Sequence, residues 1–365
     1  MRLTDLAKSD RGIVSGAFSG YFWWSILVMV IITAGTVFLG NATLFDTIQQ
    51  IIIYAAMAVC YDLFSGFTGY YNLGFAAFAA IGAYAFTFSS NAGTNFVLAF
   101  IIAGVVGAIF AAAMSYPFLR LRGAYFAIGT LALVLLLYYL DINLPQYTLG
   151  LTGTYVHVAS SAAVRIPLIV GSLAFLLLVL WIHFTIAKSR MGLALRSVRE
   201  EEDVSESFGI NAFRMKQYAM ILSGFFGAMS GAILAMYFGF INSDNMLGLG
   251  GAFFPVVAAM VGGSGVFLGP LVGSFVLVGV NLTVPSFIIS IDPTIIVGPL
   301  AITGALLLLV GLVFPAGLLR TRYFTKYAYL RPDRRLTKYF SRNKPGPQKL
   351  PVPAKQGTTE TTTKS

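Results

Sequence analysis

Apolar residues along this chain form long runs, and short polar or glycine-rich stretches separate one run from the next. A helix needs about 20 mostly apolar residues to cross a hydrocarbon core about 30 Å thick. Apolar windows of roughly this kind lie at residues 21–39, 47–65, 72–90, 96–118, 123–140, 166–187, 217–241, 252–263, 266–284 and 294–318. The pattern predicts an all-α, polytopic bundle of transmembrane helices with about ten crossings.

The window at 252–263 is short, and the break GGSGVFLGP follows it directly. Three interpretations are open for this window. It is half a helix, a re-entrant segment, or part of one long span with the window at 266–284. A bundle of eight crossings with re-entrant segments is therefore an alternative to ten.

Basic residues indicate the orientation, because Lys and Arg collect in the cytoplasmic loops of membrane proteins. With a cytoplasmic N-terminus and ten crossings, 23 of the 24 Lys and Arg residues are cytoplasmic, and only Arg165 lies outside. Both termini are therefore expected in the cytoplasm. The expected organisation is an N-terminal lead at 1–20, a transmembrane domain at 21–318 and a basic, largely disordered tail at 319–365.

The tail interleaves basic and aromatic residues in the run RTRYFTKYAYLRPDRRLTKYF, and the whole chain has a net charge of +10. Nucleic-acid binding is one interpretation of such a run. A juxtamembrane segment that lies on anionic headgroups is the favoured one. Membrane lipid is therefore expected as a partner, and nucleic acid is not.

Composition excludes an ordinary soluble domain, because 57% of the residues are hydrophobic and only 10% are charged, whereas soluble chains have about 25% charged residues. The chain has no phosphate-binding loop. Cys60, His157 and His183 have no partner at metal-ligand spacing. His183 lies near the end of a predicted helix and is expected at the membrane interface. The sequence predicts no enzyme, no metal site and no cofactor in this chain.

Asp62 is the exception among predicted spans that are almost free of charge. Ionisable residues inside a membrane often carry the mechanism of coupled carriers, so Asp62 is a candidate coupling-ion or gating residue. The favoured interpretation is an interfacial carboxylate that bonds backbone or reaches water. A transporter with so few buried charges needs its energy from elsewhere.

Small residues predict close helix packing and a break in the helices. Ser223, Gly227 and Gly231 are spaced four apart, which places them on one face of a helix. A second group surrounds the junction of two windows at 66–75, with a further break at 262–270. Irregular backbone at membrane depth is tolerated only inside protein or beside a wet cavity. The candidates for lining a pathway are Asp62, Gly66, Gly69, Asn72, Gly74, Phe75, Gly262 and Gly263.

The segment 188–216 is unusually polar, since 11 of its 29 residues are charged. Residues 192–208 are predicted to form a short helix that Gly209 ends. Two pairs at i,i+4 spacing are expected on this helix, Arg196 with Glu200 and Arg199 with Asp203. Its interrupted apolar side would consist of Leu195, Val198, Val204 and Phe208.

Four blocks occur in a fixed order along the chain: GFTGYYNLGFAAFAAIGAY (66–84), LRLRGAYFAIGTLAL (119–133), SRMGLALRSVREEEDVSESFGINAFRMKQYAMILSGFFGAMSGAI (189–233) and VGGSGVFLGPLVGS (261–274). In this order they resemble the permease subunits of ATP-binding-cassette importers for branched-chain amino acids, of the LivM type. The resemblance implies a multi-pass protein of a prokaryotic plasma (inner) membrane. It also implies three kinds of partner: a second homologous permease subunit, two cytoplasmic ATPase subunits that bind the ATP, and an extracytoplasmic substrate-binding protein.

The sequence ESFGIN (206–211) matches the Glu-x-x-Gly-Ile-Asn part of that family's ATPase-docking loop. The resemblance therefore implies that 188–216 is the coupling loop. Its candidate residues are Arg196, Arg199, Glu200, Glu202, Glu206 and Gly209.

Two residues bear on the cargo, for which the resemblance implies branched-chain or other apolar amino acids. The family commonly has His after the Leu-Gly of the first block, whereas this chain has Phe75. The presence of Asp62 is a feature in which this chain resembles the urea-type relatives of the family. Urea or a short amide is therefore an alternative cargo, and a self-sufficient secondary carrier or channel is an alternative function.

Overall fold

The computed structural model describes residues 42–148, 150–157 and 165–291, together with positions 33 and 35 and scattered positions between 301 and 320. The predicted lead at 1–20 and window at 21–39 fall outside these residues, apart from two positions, as do most of the window at 294–318 and almost all of the tail. The predictions for those parts of the chain therefore stay predictions.

The described residues are mostly helical. The helices are α1 (Ala42–Thr68), α2 (Phe75–Asn91), α3 (Phe96–Phe118), α4 (Ala124–Asn143), α5 (Pro145–Thr148), α6 (Arg165–Lys188), α7 (Arg190–Glu200), α8 (Glu202–Ser207), α9 (Ala212–Phe238), α10 (Ser243–Leu247), α11 (Leu249–Ala252), α12 (Phe254–Gly262) and α13 (Gly269–Ile291). Short 3₁₀ turns lie at Gly150–Thr152 and Leu318–Arg320, and strand β1 (Thr154–Tyr155) pairs antiparallel with β2 (Phe240–Ile241).

Six segments of the described residues are long and apolar enough to cross a membrane. They are α1 from Thr43 onward, α3, α4, α6, α9 and the run Ser243–Gly262, which combines α10 to α12. The all-α, membrane-spanning bundle is thus in agreement with the hydrophobic pattern. The number of crossings and the side on which each terminus lies stay predictions.

Helices α1 and α9 form the centre of the bundle. Within their most apolar windows, 100% of the α1 residues and 83% of the α9 residues are buried, against 28% for α3 and for α4. The Ser223 hydroxyl of α9 donates to the Cys60 carbonyl of α1 at 2.7 Å. Apolar side chains on the outer helices are left exposed, which is what a lipid-facing or partner-facing helix requires.

The predicted close packing of Ser223, Gly227 and Gly231 is confirmed, although the three residues contact two helices. Ser223 bonds α1, whereas Gly227 and Gly231 face α2. A Cβ on Gly231 would overlap the backbone carbonyl of Ala79, and a Cβ on Gly227 would lie 2.9 Å from the Phe75 ring. Helices α2 and α9 therefore approach each other more closely than any larger side chain would allow.

The break after residue 262 is a turn between two packed helices. A Cβ on Gly262 would overlap the Gly269 carbonyl, and one on Gly273 would overlap that of Ala258. Helices α12 and α13 therefore lie side by side. The interpretation that windows 252–263 and 266–284 form one long span is wrong, because Gly263 (φ +110°) and Gly265 (φ +83°) reverse the chain.

The polar segment forms two short helices. The Ser189 hydroxyl caps α7 by accepting from the Gly192 N–H at 3.2 Å. Extended backbone at Glu201 then separates α7 from α8, so the single helix predicted over 192–208 is wrong. Gly209 does end α8, with a positive φ of 83° and its N–H donating to the Glu206 carbonyl at 2.9 Å. This part of its prediction is confirmed.

Candidate functional site

Three regions that the sequence singled out separately meet at the C-terminal end of α1. Arg199 of α7 donates from Nη1 to the Gly66 carbonyl at 2.5 Å. Asp62, one helical turn before Gly66, accepts from the turn that joins α12 to α13. The polar segment, the 66–75 junction and the 262–270 break are therefore parts of one structure. We name its core the Asp62 cluster, which consists of Asp62, Gly66, His183, Arg199, Ser264 and Gly265.

Asp62 has no solvent exposure and is held by three neighbours. Its Oδ1 accepts from the Ser264 hydroxyl and from the Gly265 N–H, both at 2.9 Å. Its Oδ2 lies 3.1 Å from His183 Nε2. The favoured prediction, a carboxylate that bonds backbone, is confirmed in that respect. All of these hydrogen-bond partners belong to the protein itself. The carboxylate therefore joins α1 to α6 and to the turn before α13.

His183 is buried inside the protein, and its predicted place at the membrane interface stays a prediction. Its side chain is 2% exposed and lies between the rings of Phe67 and Phe267, with centroid distances of 4.9 and 5.9 Å. Which atom donates in the Asp62–His183 hydrogen bond depends on the tautomer of the ring. His183 Nδ1 is buried and has no hydrogen-bond partner among the described residues. Within the same residues, no three His, Cys, Asp or Glu side chains are close enough to hold a metal ion.

Glycine is required twice in the Asp62 cluster. A Cβ on Gly66 would overlap the Asp62 carboxylate. Gly265 has a positive φ of 83°, and its Cβ would lie 2.5 Å from Arg199 Nη1 and 2.8 Å from the Gly66 carbonyl. The close approach of α7 to the turn before α13 therefore depends on the absence of a side chain at Gly265, and the placement of the Asp62 carboxylate depends on its absence at Gly66.

Helix α7 lies against the end of α1 through its basic residues. The Arg199 Cγ would lie 2.8 Å from a Cβ on Gly69, and the Arg196 guanidinium lies 6.0 Å from the Phe67 ring centre. The predicted pair of Arg199 with Asp203 is wrong, because Arg199 bonds Gly66 while Asp203 lies 3.4 Å from Arg122 at the surface. The structure shows no ion pair between Arg196 and Glu200 among the ion pairs of its described residues.

Glu202 joins α8 to α9 and to the 69–74 junction. Its carboxylate accepts from Lys216 Nζ at 2.7 Å and from the Tyr70 hydroxyl at 2.8 Å. Burial acts to raise the pKa of Glu202, but the hydrogen bonds from Lys216 and Tyr70 outweigh it and hold the pKa below its usual range. Burial and the Glu202 carboxylate raise the pKa of Tyr70. Lys216 is 1% exposed, so this ion pair is a fixed structural link.

Most of the remaining residues of α8 face solvent, although Ser205 is buried. Glu206 and Gly209 are exposed, and nothing lies within 4 Å of a Cβ on Gly209. Phe208 is 82% exposed. The single apolar side predicted for this segment is wrong, because Leu195 and Val198 of α7 are buried whereas Val204 and Phe208 of α8 are exposed. After the break at Glu201, Val204 and Phe208 face solvent although Glu202 is bonded to α9.

The other pathway candidates are packed inside the protein. Asn72 closes a local turn before α2 by accepting from the Gly74 N–H at 3.0 Å, and Phe75 packs edge-to-face on Tyr61. None of the eight candidates lines any of three cavities that lie among the described residues. That they line a pathway stays a prediction.

A second buried carboxylate lies at the opposite end of the bundle. Asp141, near the end of α4, is 6% exposed, and its Oδ2 accepts from the hydroxyls of Tyr84 and Ser243 at 2.7 and 2.6 Å. The sequence pattern missed it because the apolar window ends at residue 140. It also missed His183 as the partner of Asp62, since 121 positions separate the two. A charged residue at the edge of an apolar run was the signal available for Asp141.

Residues 43–315, well over half of the chain, match a family model described as "Branched-chain amino acid transport system / permease component". The chain is 24% identical to the high-affinity branched-chain amino acid transport system permease protein LivM of Salmonella typhimurium, over 65% of this chain and 63% of the relative. It is 24% identical to LivM of Escherichia coli K12, over 69% and 66%. It is 32% identical to the permease protein LivH of Salmonella typhimurium, over 41% and 45%.

The aligned region is thus less than two thirds of the length of both LivM relatives. No solved structure is significantly similar to this chain.

Proposed function

The chain belongs to the family of branched-chain amino acid transport permeases, and on that premise we propose that it is the transmembrane permease subunit of an ATP-binding-cassette importer. It forms the translocation pathway for branched-chain or other apolar amino acids in a prokaryotic inner membrane. ATP is bound by two separate ATPase subunits, and an extracytoplasmic binding protein delivers the cargo.

The observation that carries this proposal is the contact of α7 with the Asp62 cluster. Through Arg199 and Gly66, a short helix outside the spanning segments is bonded to the end of the most buried span. A force applied to α7 therefore reaches α1 directly, and through Asp62 it reaches α6 and the turn before α13. This is the connection that an ATPase docked on α7 and α8 needs to move the spanning helices.

Charge supports the sidedness in this proposal. Arg122, Arg196, Arg199 and Lys216 all lie at the end of the bundle that carries α7 and α8, and positive residues favour the cytoplasmic side. The similarity to both LivM and LivH relatives supports pairing with a second homologous permease. In this arrangement the Asp62 cluster and the 66–75 junction close the pathway at its cytoplasmic end.

A proton-coupled secondary carrier is the second candidate. The Asp62–His183 pair favours it, because buried ionisable pairs are typical of proton relays in carriers. The two candidates differ in their source of energy, and therefore in what stops uptake.

We expect vesicles that contain the permease pair, the ATPases and the binding protein to take up leucine only with ATP present. A protonophore should leave this uptake within twofold of its initial rate, and unlabelled isoleucine and valine should compete, whereas urea should not. Initial rates with radiolabelled leucine measure all four effects. Uptake without ATP that collapses with the protonophore would support the carrier, and competition by urea alone would support the amide permease.

We expect Phe208→Ser to weaken binding of the ATPases by roughly 30-fold, because a central aromatic contact contributes about 2 kcal/mol or more to an interface. Phe208 is 82% exposed and lies at the tip of α8. Co-purification of the ATPases on the tagged permease measures the loss. Tyr155→Ser is the matched control, since Tyr155 is a 73% exposed aromatic residue at the opposite end of the bundle. Equal recovery of the ATPases with both variants would contradict docking at α8.

A further inference from the structure

A cavity of about 320 Å³ lies between α2, α3 and α4. Ile81, Val106, Leu137 and Leu140 are among the apolar residues that form most of its wall. Tyr84 and Asp141 are the polar residues that border it. It is therefore a hydrophobic pocket with a carboxylate and a phenol at one side, and it is open on another side, where Val106 and Leu140 are exposed. We call this pocket the chamber.

The orientation of the Asp141 carboxylate beside the chamber is fixed by hydrogen bonds. The Tyr84 and Ser243 hydroxyls both donate to the same oxygen, Oδ2, and so fix the plane of the carboxylate. The side chain is 6% exposed, which removes most of the water that would weaken its attraction for a cation. A positively charged group that enters the chamber is therefore attracted to one defined place.

The chamber lies where arriving cargo would enter. Its α4 residues are in the C-terminal part of that helix, and its α2 residues are in the half of α2 away from Phe75. Both helices begin at the end of the bundle that carries α7 and α8, so the chamber lies toward the opposite end. Under the proposed function, that end faces the binding protein.

We propose that this chamber binds the cargo during transport, with Asp141 binding the ammonium group of a zwitterionic apolar amino acid and the aliphatic wall contacting its side chain. The inference rests on the proposed function and names a binding site within it. An apolar amino acid carries a cation next to a hydrophobic branch, which is the pairing that the chamber offers. Urea carries neither group.

The test uses the complete transporter in vesicles, with leucine-loaded binding protein as the donor. Asp141→Asn keeps the shape of the side chain and removes its charge, and it should lower the leucine uptake rate at least tenfold while basal ATP hydrolysis stays within twofold.

Asp244→Asn is the matched control. Asp244 is a neighbouring carboxylate bonded by the Tyr138 hydroxyl at 2.6 Å that does not border the chamber. It should transport within twofold of the unchanged protein. Uptake by Asp141→Asn at the unchanged rate would overturn the inference and leave the proposed function intact.

A substitution in the apolar wall of the chamber tests the inference a second time, even if the Asp141→Asn protein does not assemble. Leu137→Trp places a larger ring in the open volume, and it should lower uptake of leucine at least threefold more than uptake of the smaller valine. Equal losses for the two amino acids would overturn the inference.

Discussion

Asp62→Asn should uncouple ATP hydrolysis from transport, lowering leucine uptake at least tenfold while the ATPases still bind and hydrolyse ATP. Asparagine has the same shape, but it carries no charge and replaces one acceptor oxygen with an NH2 group, which only donates. One oxygen then remains for the Ser264 hydroxyl and the Gly265 N–H, and His183 keeps a bond only if its Nε2 becomes the acceptor. Any donor that this rearrangement leaves unpaired is a buried polar group without a partner. A buried polar group left without a partner costs about 1–3 kcal/mol, and about 1.4 kcal/mol corresponds to a tenfold change in an equilibrium.

The measurement is the ratio of leucine transported to ATP hydrolysed in vesicles with the complete transporter. Asp203→Asn is the matched control. It removes a carboxylate from the same end of the protein, but the Asp203 side chain is 77% exposed and its pairing with Arg122 is worth little. We expect this control to transport within twofold of the unchanged protein. A normal transport ratio in Asp62→Asn would show that the Asp62 cluster does not transmit the movement of α7.

Gly231→Ala should be strongly destabilising, although it adds a single methyl group. That methyl would overlap the backbone carbonyl of Ala79, and neither helix backbone can yield locally as a flexible side chain would. Overpacking in a dense interior costs about 1–3 kcal/mol and occasionally more, and we expect the upper end here. The helices α2 and α9 would be pushed apart along the centre of the bundle.

The amount of monodisperse protein in detergent and its thermal midpoint test this prediction. Gly279→Ala is the matched control, because Gly279 also lies in an apolar helix but has nothing within 4 Å of its Cβ. This control should be as stable as the unchanged protein or slightly more so, since Ala is favoured over Gly in a helix by about 1 kcal/mol. If both variants have the same midpoint, α2 and α9 do not pack as closely as the structure places them.

The hydrophobic pattern predicted the spans well because the bilayer requirement is local. A run such as 96–118 must be helical to satisfy its backbone bonds in lipid, whatever its neighbours are. The structure has a helix at Phe96–Phe118, with the same ends. The glycine spacing in α9 was equally informative, because a side chain that is absent from one helix face constrains that face alone. For the spans and for this glycine-lined face, the sequence alone was sufficient.

Helix ends and turns inside the polar segment were predicted less well. The pattern of Leu195, Val198, Val204 and Phe208 is compatible with one helix, and no residue at 201 demands a break. The break exists because Arg199 bonds Gly66 and Glu202 bonds Lys216, and both partners are remote along the chain. Tertiary contacts of this kind override i,i+4 pairing, which contributes only about 0.2–0.5 kcal/mol per pair.

The sequence by itself determined that the chain crosses the membrane repeatedly as helices, that residues 66–75, 188–216 and 262–270 are unusual, and that Asp62 is a rare charge among the spans. Only the tertiary structure decided that these regions form one cluster, that His183 is the partner of Asp62, and that Asp141 borders a chamber. The physical reason is the range of the interactions. Hydrophobic periodicity and backbone conformation depend on neighbours along the chain, whereas a buried carboxylate is stabilised by whichever donors the packed helices bring to it.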